Sequence, residues 1–315
     1  MELDEHSGAA LRGNLFESIW QRFCTNKSAF TCADCALNKL CPVSSLVAPL
    51  REENPRGRDI PRPYIFLPPL AGARTYQTGE TMTFGLTLFG NIIELLPYIL
   101  LSMPTMQKGG LGRRVQDGQR GTFRVQRIES YHPFTREKCE IFRNGEILVQ
   151  KPTFSIGVAD ILARAAQLPQ EQLTLEFLTP TRIIEMEKLQ RWISFRTLIL
   201  RLQERLTNLR QHYGEPSLTD EPLLTTKDDL IACAKQIHYS EDQTTWQEVK
   251  SYSRRQKRTT PVSGVTGRIT YTGDLAAFRE LLVWGELIHV GKSVVKGNGW
   301  YRIVTDEAIS GYETP

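Results

Sequence analysis

The chain has 315 residues, of which 40% are hydrophobic and 23% charged, which is ordinary globular composition with length for about two domains. That excludes a disordered, collagen-like or low-complexity chain, and six cysteines are too few for a disulfide scaffold. The net charge is only +4, but it is unevenly spread: residues 1–60 are close to neutral at −1, residues 107–128 carry +5 and residues 250–302 carry +7. Two basic segments on a nearly neutral chain suggest a surface for a polyanion, usually RNA or DNA; a solvated basic face is the alternative.

The first segment, MELDEHSGAALRGNLFESIW, is acidic and lacks the apolar core of a secretory signal, so the expected location is the reducing cytoplasm. Leu11, Leu15, Ile19 and Phe23 recur every fourth residue and predict a helix over 11–24. Cys24, Cys32, Cys35 and Cys41 follow in a cysteine-bearing extension. Four thiolates in so short a segment suit a structural zinc site, but their spacing matches no zinc ribbon, so they read as reduced thiols and no metal is expected. Cys139 and Cys233 stand alone and read as core. NPRGRDIPRP (54–63) is an irregular connector.

PYIFLPP reads as a strand, and residues 80–89 alternate as a second one, with Met82, Phe84, Leu86 and Leu88 on one face. LTLFGNIIELLPYILLSM (86–103) has the length of a membrane span, but Glu94 and Pro97 lie inside it. It is therefore expected to be the end of a strand and a buried helix over 91–106. KGGLGRR (108–114) reads as a basic glycine loop and residues 121–130 as another strand.

Residues 151–170 read as a connector with a short helix, and 173–183 as a strand ending near Pro180. In 194–214, Phe195, Leu198, Leu202, Leu206 and Leu209 share one face, which makes this the clearest helix; Gly214 is its stop. LIACAKQIHY and TWQEVKSYSRR read as strands, the first with a helical alternative. Then come a strand (265–273), a helix (274–288) capped by Asp274, a glycine loop (291–299) and a final strand (300–304). The second half thus reads β-α-β-β-α-β, the ferredoxin-like order, and the first half repeats its end. The expected fold is α+β: tandem ferredoxin-like (RRM-like) domains, 1–150 with the cysteine-bearing extension and 151–315 with the glycine-rich loop.

Two motifs carry candidate chemistry. Gly291, Gly297, Gly299 and Tyr301, with Lys292 and Lys296 between them, form a loop whose glycines permit positive φ and whose amides can cradle an anion. It follows a helix and precedes a strand, the reverse of a P-loop, so nucleotidase and dehydrogenase readings are rejected; a structural turn is the alternative. SYSRRQKR (251–258) supplies Arg254, Arg255, Lys257 and Arg258, with Tyr252 able to stack on a base; an exposed basic turn is the alternative.

Together, W-x-x-V-x-S-Y-S-R-R-Q-K-R, G-V-T-G-R-I-T-Y-T-G-D-L and L-L-V-W-G-E-L-I-H-V-G-K-S-V-V-K-G-N-G-W-Y-R-I resemble the C-terminal part of a CRISPR-associated RAMP-superfamily endoribonuclease that processes precursor CRISPR RNA. Y-Q-T-G-E-T-M-T-F-G-L-T-L-F-G, L-P-Y-I-L and G-G-L-G-R-R resemble the N-terminal domain of the same family. The resemblance implies binding of CRISPR repeat RNA, cleavage without metal or cofactor by attack of a 2′-OH, and a 2′,3′-cyclic phosphate product. It leaves open a non-catalytic RNA-binding RAMP subunit in an effector complex, with other CRISPR subunits as partners and no membrane.

The chemistry needs a group to take the 2′-OH proton, one to protonate the leaving 5′-oxygen, and cations for the phosphorane. Histidine suits the proton work. His6 falls in a segment that reads as a frayed terminus, His132 in a loop, His212 at a helix end and His238 at a strand end. Family members place a catalytic histidine in the first domain, yet residues 7–131 contain none, a departure from the pattern. His289, beside the glycine loop, is the candidate acid/base, with a Tyr/Lys/Arg set or weak cleavage as the alternatives for the reaction and a residue that packs the helix end and orders the loop as the alternative for His289 itself. Lys292, Arg254 and Arg255 are candidates for phosphate contact and charge stabilisation, Lys292 standing with His289 as the catalytic pair, with Lys257, Arg258, Lys296, Arg113 and Arg114 as further RNA contacts.

Overall fold

The computed structural model describes residues 1–49, 60–114, 118–146, 149–214, 227–253 and 258–305. In the first half the chain runs β1 (Glu2–Leu3), α1 (Gly8–Phe23), α2 (Pro42–Val47), β2 (Tyr64–Leu67), β3 (Arg74–Thr75), β4 (Gly85–Leu88), α3 (Leu96–Gly109), β5 (Leu111–Arg114), β6 (Arg120–Gly121), β7 (Arg127–Tyr131) and β8 (Lys138–Arg143). The set β1-α1-β2-β4-α3-β5 repeats the ferredoxin-like order. Among the described residues its ladders are two-stranded: β1 with β3, β2 with β4, β5 with β6 and β7 with β8, all antiparallel. The stripe of Leu11, Leu15 and Ile19 is buried as its spacing predicts. Buried Asn14 ties α1 to the end of α3 by donating to the carbonyls of Met106 and Gly110, both at 2.9 Å.

Several first-half expectations are corrected. KGGLGRR is not a loop: α3 continues to Gly109, Gly110 breaks it at φ 65°, and the strand β5 follows at once. A glycine with positive φ ends the helix in a single residue, so no longer linker is needed. The strand expected over 80–89 narrows to β4, and that over 121–130 divides between β6 and β7.

The second half runs α4 (Val158–Ala166), β9 (Gln172–Thr181), β10 (Ile183–Glu185), β11 (Lys188–Gln190), α5 (Phe195–Tyr213), α6 (Lys227–Ala234), β12 (His238–Gln247), β13 (Lys250–Ser253), β14 (Arg258–Pro261), β15 (Gly264–Thr272), α7 (Arg279–Ile288) and β16 (Tyr301–Val304). Its four-stranded antiparallel sheet has the order β12-β15-β9-β16. With β9, β12, β15 and β16 as strands one to four, that is the ferredoxin-like arrangement, and the expectation for this half is met. Alternate residues Leu173, Leu175 and Phe177 of β9 are buried with Leu198 and Leu202 of α5 and Leu282 of α7 in one core. Ser194 caps α5 by accepting from the Thr197 N–H at 3.2 Å.

Residues 227–234 take the helical alternative, as α6. The strand expected across TWQEVKSYSRR is interrupted. Val249 leaves the sheet, accepts from the Val262 N–H at 2.9 Å and donates to Ser263 Oγ at 2.9 Å. From there β13 and β14 pair as a separate hairpin.

Candidate nucleic-acid interface

The glycine loop is built by its backbone angles. Gly291, Gly297 and Gly299 have φ of 90°, 85° and 71°. A Cβ at Gly299 would lie 1.8 Å from the Val290 carbonyl oxygen, so no other residue fits there without displacing the chain. The amides of Lys292, Lys296, Gly297 and Gly299 donate to Arg182, Ser293, Val294 and Pro180, at 2.8–3.2 Å. At these four positions the expected anion cradle is spent on holding the loop itself. Thr179 Oγ1 staples both ends, donating to the Gly297 carbonyl at 2.8 Å and accepting from the Trp300 N–H at 2.9 Å. Tyr301 is core, its hydroxyl donating to the Leu282 carbonyl at 2.7 Å.

His289 is turned into the core. It is fully buried, stacks on Trp300 with ring centroids 5.7 Å apart, and has Nδ1 3.3 Å from the Asn298 carbonyl. Burial, with the nearby Arg205 guanidinium, pushes its pKa down to about 3. This geometry is against the expected proton-transfer role and fits the alternative: His289 packs the end of α7 and orders the loop. Glu286, one turn earlier, accepts from the Ile303 N–H at 2.7 Å, and burial raises its carboxyl to about 7.

The exposed side of the loop meets the first half in a cleft of about 250 Å³, lined by Glu5, His6, Gly8, Gln247, Lys296 and Gly297 among others. His6 lies between β1 and α1, so it is not frayed. Its Nε2 is buried with no hydrogen-bond partner and stands 3.8 Å from the Glu5 carboxylate. Burial lowers its pKa, opposed by the Glu5 charge. Across the cleft, Lys296 is lowered by burial and by the Arg12 guanidinium. Sequence reading missed His6 because the apolar stripe starts only at Leu11. The signal that would have found it is Ser7-Gly8, a capping residue followed by small residues that start the helix one turn earlier. The larger cavity, about 2530 Å³, is lined by residues such as Phe84, Phe123 and Trp284, with no histidine among them.

The basic hairpin stands beside the same loop. Lys296 Nζ is 3.4 Å from Ser251 Oγ, and Asn298 Nδ2 is 3.4 Å from the Val262 carbonyl. Arg258 opens β14; Arg254, Arg255 and Lys257 lie outside the described residues. Lys292 is exposed on the loop, next to Gly291. Arg113 is a correction to a free RNA contact: its guanidinium is paired with Glu2 and Asp4, each at 2.8 Å, and these acids raise its pKa. Arg114 donates to the Gly118 carbonyl. The outer sheet face is self-neutralised as well, Glu176 being paired with both Arg268 and Arg302. Cys24, Cys32, Cys35 and Cys41 are partly buried, and among the described residues no group of three or more His, Cys, Asp or Glu is placed to hold a metal. Nor is any described helix long and apolar enough to cross a membrane.

A ferredoxin-like domain that ends in a glycine loop thus stands against a second α+β half, beside the hairpin of β13 and β14. Residues 175–301 match the model of the CRISPR-associated endoribonuclease Cas6 family, and residues 1–154 match the AF_1859 N-terminal domain. The resemblance to the CRISPR-associated RAMP-superfamily endoribonucleases is thereby established, carried by the Cas6 model over 175–301. A Cas6 product complex is similar over 96% of this chain and 95% of its own, with 15% identity and a TM-score of 0.52, which shows the shared fold. Cas6 of Thermus thermophilus is similar over 96% and 95%, with 14% identity and a TM-score of 0.47. An uncharacterized protein of Archaeoglobus fulgidus is 25% identical over 258 residues, which are 80% of this chain and 77% of that one.

Proposed function

We propose that the chain is a metal-independent endoribonuclease that cleaves CRISPR repeat RNA in the cleft between His6 and the glycine loop, and so matures guide RNA. The observation that carries this reading is that a partly exposed histidine, His6, and Lys296 line one cleft beside the glycine loop. His6, neutral at neutral pH, takes the proton of the 2′-OH on its imidazole ring. The 2′-oxygen bonds to phosphorus, the bond from phosphorus to the 5′-oxygen breaks, and the Lys296 ammonium supplies the proton to that leaving oxygen. A 2′,3′-cyclic phosphate and a 5′-OH result, with water returning the proton from His6 to Lys296. The nucleophile belongs to the RNA, so the step needs proton transfer and charge, which side chains supply.

Lys292, Arg254 and Arg255 carry phosphate charge in this mechanism. Lys257 and Arg258 extend the basic strip, and Gly291, Gly297 and Gly299 hold the loop that presents Lys292 and Lys296. Other CRISPR effector subunits are the expected protein partners. The test is incubation with repeat RNA in EDTA. A single cut with a cyclic phosphate end is the expected outcome. Tight binding of RNA that stays intact would instead favour the non-catalytic RAMP subunit.

A further inference from the structure

An aromatic row leads away from the cleft along the free edge of β12. β12 is an outer strand of its sheet, paired on one side only. Trp246, next to the cleft residue Gln247, lies under Arg191, whose guanidinium carbon is 5.1 Å from the ring centroid. The residue after Arg191, Trp192, is 52% exposed and sits with its ring centroid 6.3 Å from that of Tyr239, which is 56% exposed. Tyr239 and Trp246 are separated by about 20 Å of strand. Trp is seldom left so open in a finished core. The outer sheet face, where an RRM stacks its bases, carries the ion-paired Glu176 cluster and the Thr174–Thr270 pair, whereas this aromatic row stands at the edge.

We propose that Trp246, Arg191, Trp192 and Tyr239 form a stacking track for a single-stranded RNA segment that flanks the cleaved phosphate. The inference rests on the RNA-processing reading above. A base gains from the face of any of these rings, whatever its sequence, and the arginine plane adds a stacked cation. Glu241 and Asp242, exposed on the same strand, keep phosphates away from the edge and turn the bases toward it. The track starts where Gln247 Nε2 donates to Glu5 at 2.9 Å, at the rim of the cleft, so one RNA strand runs from His6 onto the rings without a gap.

The test compares two RNAs: a repeat hairpin bearing about eight unpaired uridines on each side, within the span such sites cover, and the same hairpin without tails. The full chain carries His6→Ala to keep the RNA intact. With the track in place, the tailed RNA binds about tenfold or more tighter than the blunt one. Adding Trp192→Ala and Tyr239→Ala removes that advantage and leaves the blunt hairpin's affinity unchanged. An advantage that survives both substitutions overturns the track, as does an equal loss on both RNAs. A dimer that these substitutions dissolve, with RNA affinity untouched, also overturns it and makes the edge a self-association surface. Failure of the unsubstituted protein to bind either RNA would instead bring down the RNA-processing reading itself.

Discussion

Gly8, in the first turn of α1, lies directly against the carbonyl of Lys296: a Cβ at position 8 would come to 1.7 Å from that oxygen. Gly297 meets the first half in the same way, where a Cβ would be 2.4 Å from Pro68 Cδ. The two halves therefore touch through residues without side chains, and the cleft has its shape because of it. Gly8→Ala should push α1 off the loop, destabilise the protein by about 1–3 kcal/mol and slow cleavage. Gly13 is the control, since it is exposed on the same helix with nothing within 4 Å of its Cβ position. Gly13→Ala should stabilise by about 0.5–1 kcal/mol through helix propensity alone. Denaturant melts of both variants decide the matter; a neutral Gly8→Ala would mean that the seam is soft.

Kinetics separate the two histidines that flank the glycine loop. His6→Ala should lower the cleavage rate by ~10²-fold or more with affinity nearly unchanged. Its acid limb should vanish too. In the unsubstituted protein kcat/KM should rise as pH passes the His6 pKa, below the usual 6.5, and be flat at neutral pH. His289→Gln should instead cost stability and leave the rate of the folded fraction close to normal. Full cutting by His6→Ala would remove it from the site.

Buried His289 also sets a pH dependence of stability. Its folded pKa of about 3 lies below the ordinary 6.5, so the unfolded chain binds its proton first. The stability gained from a neutral His289 is complete above about 6.5 and is lost as pH falls toward about 3, at up to about 1.4 kcal/mol per pH unit. Glu286 works in the opposite sense: raised to about 7, it contributes below its ordinary 4.5 and loses that contribution as pH rises through 7. In urea melts the stability lead of the unsubstituted protein over His289→Gln should shrink steadily as pH falls from 6.5 to 4, and a constant difference would contradict the burial.

The basic residues should fall into two groups. Arg113→Ala removes a cation already held by Glu2 and Asp4 and should change RNA affinity by less than about twofold. Lys292→Ala, and Arg254→Ala with Arg255→Ala, should weaken binding and flatten its salt dependence, by about one unit of slope for each phosphate no longer neutralised. Salt titrations of binding distinguish the groups, and a flat response at Arg254 and Arg255 would leave the hairpin as a solvated basic turn.

What could be read in advance follows from how local each signal is. α5 was legible because five apolar residues repeat on one face and Ser194 and Gly214 bracket them. β9, β15 and β16 were legible from their alternation, and with them the ferredoxin-like order of the second half; α7 starts at Arg279, five residues after the expected cap Asp274, which instead accepts from the Ala276 N–H of a short preceding turn. The break of TWQEVKSYSRR at Val249 was not, because it is decided by bonds to Val262 and Ser263, more than ten residues away. His289 and His6 exchanged places for a related reason. Sequence neighbours put His289 beside the lysines and glycines, but its φ of 57° and the Trp300 ring turn it inward. His6 gains its place from a loop nearly three hundred positions further on.

Because the loop belongs to the joint as well as to the cleft, an RNA end seated there as proposed would be gripped from both flanks at once. Letting it go means prising open the contact of Gly8 with Lys296 and of Gly297 with Pro68, a motion slower than proton transfer within a closed site. A burst in the first turnover, followed by sluggish recycling, is the expected time course. Such a protein would spend most of its time as an escort of its own product.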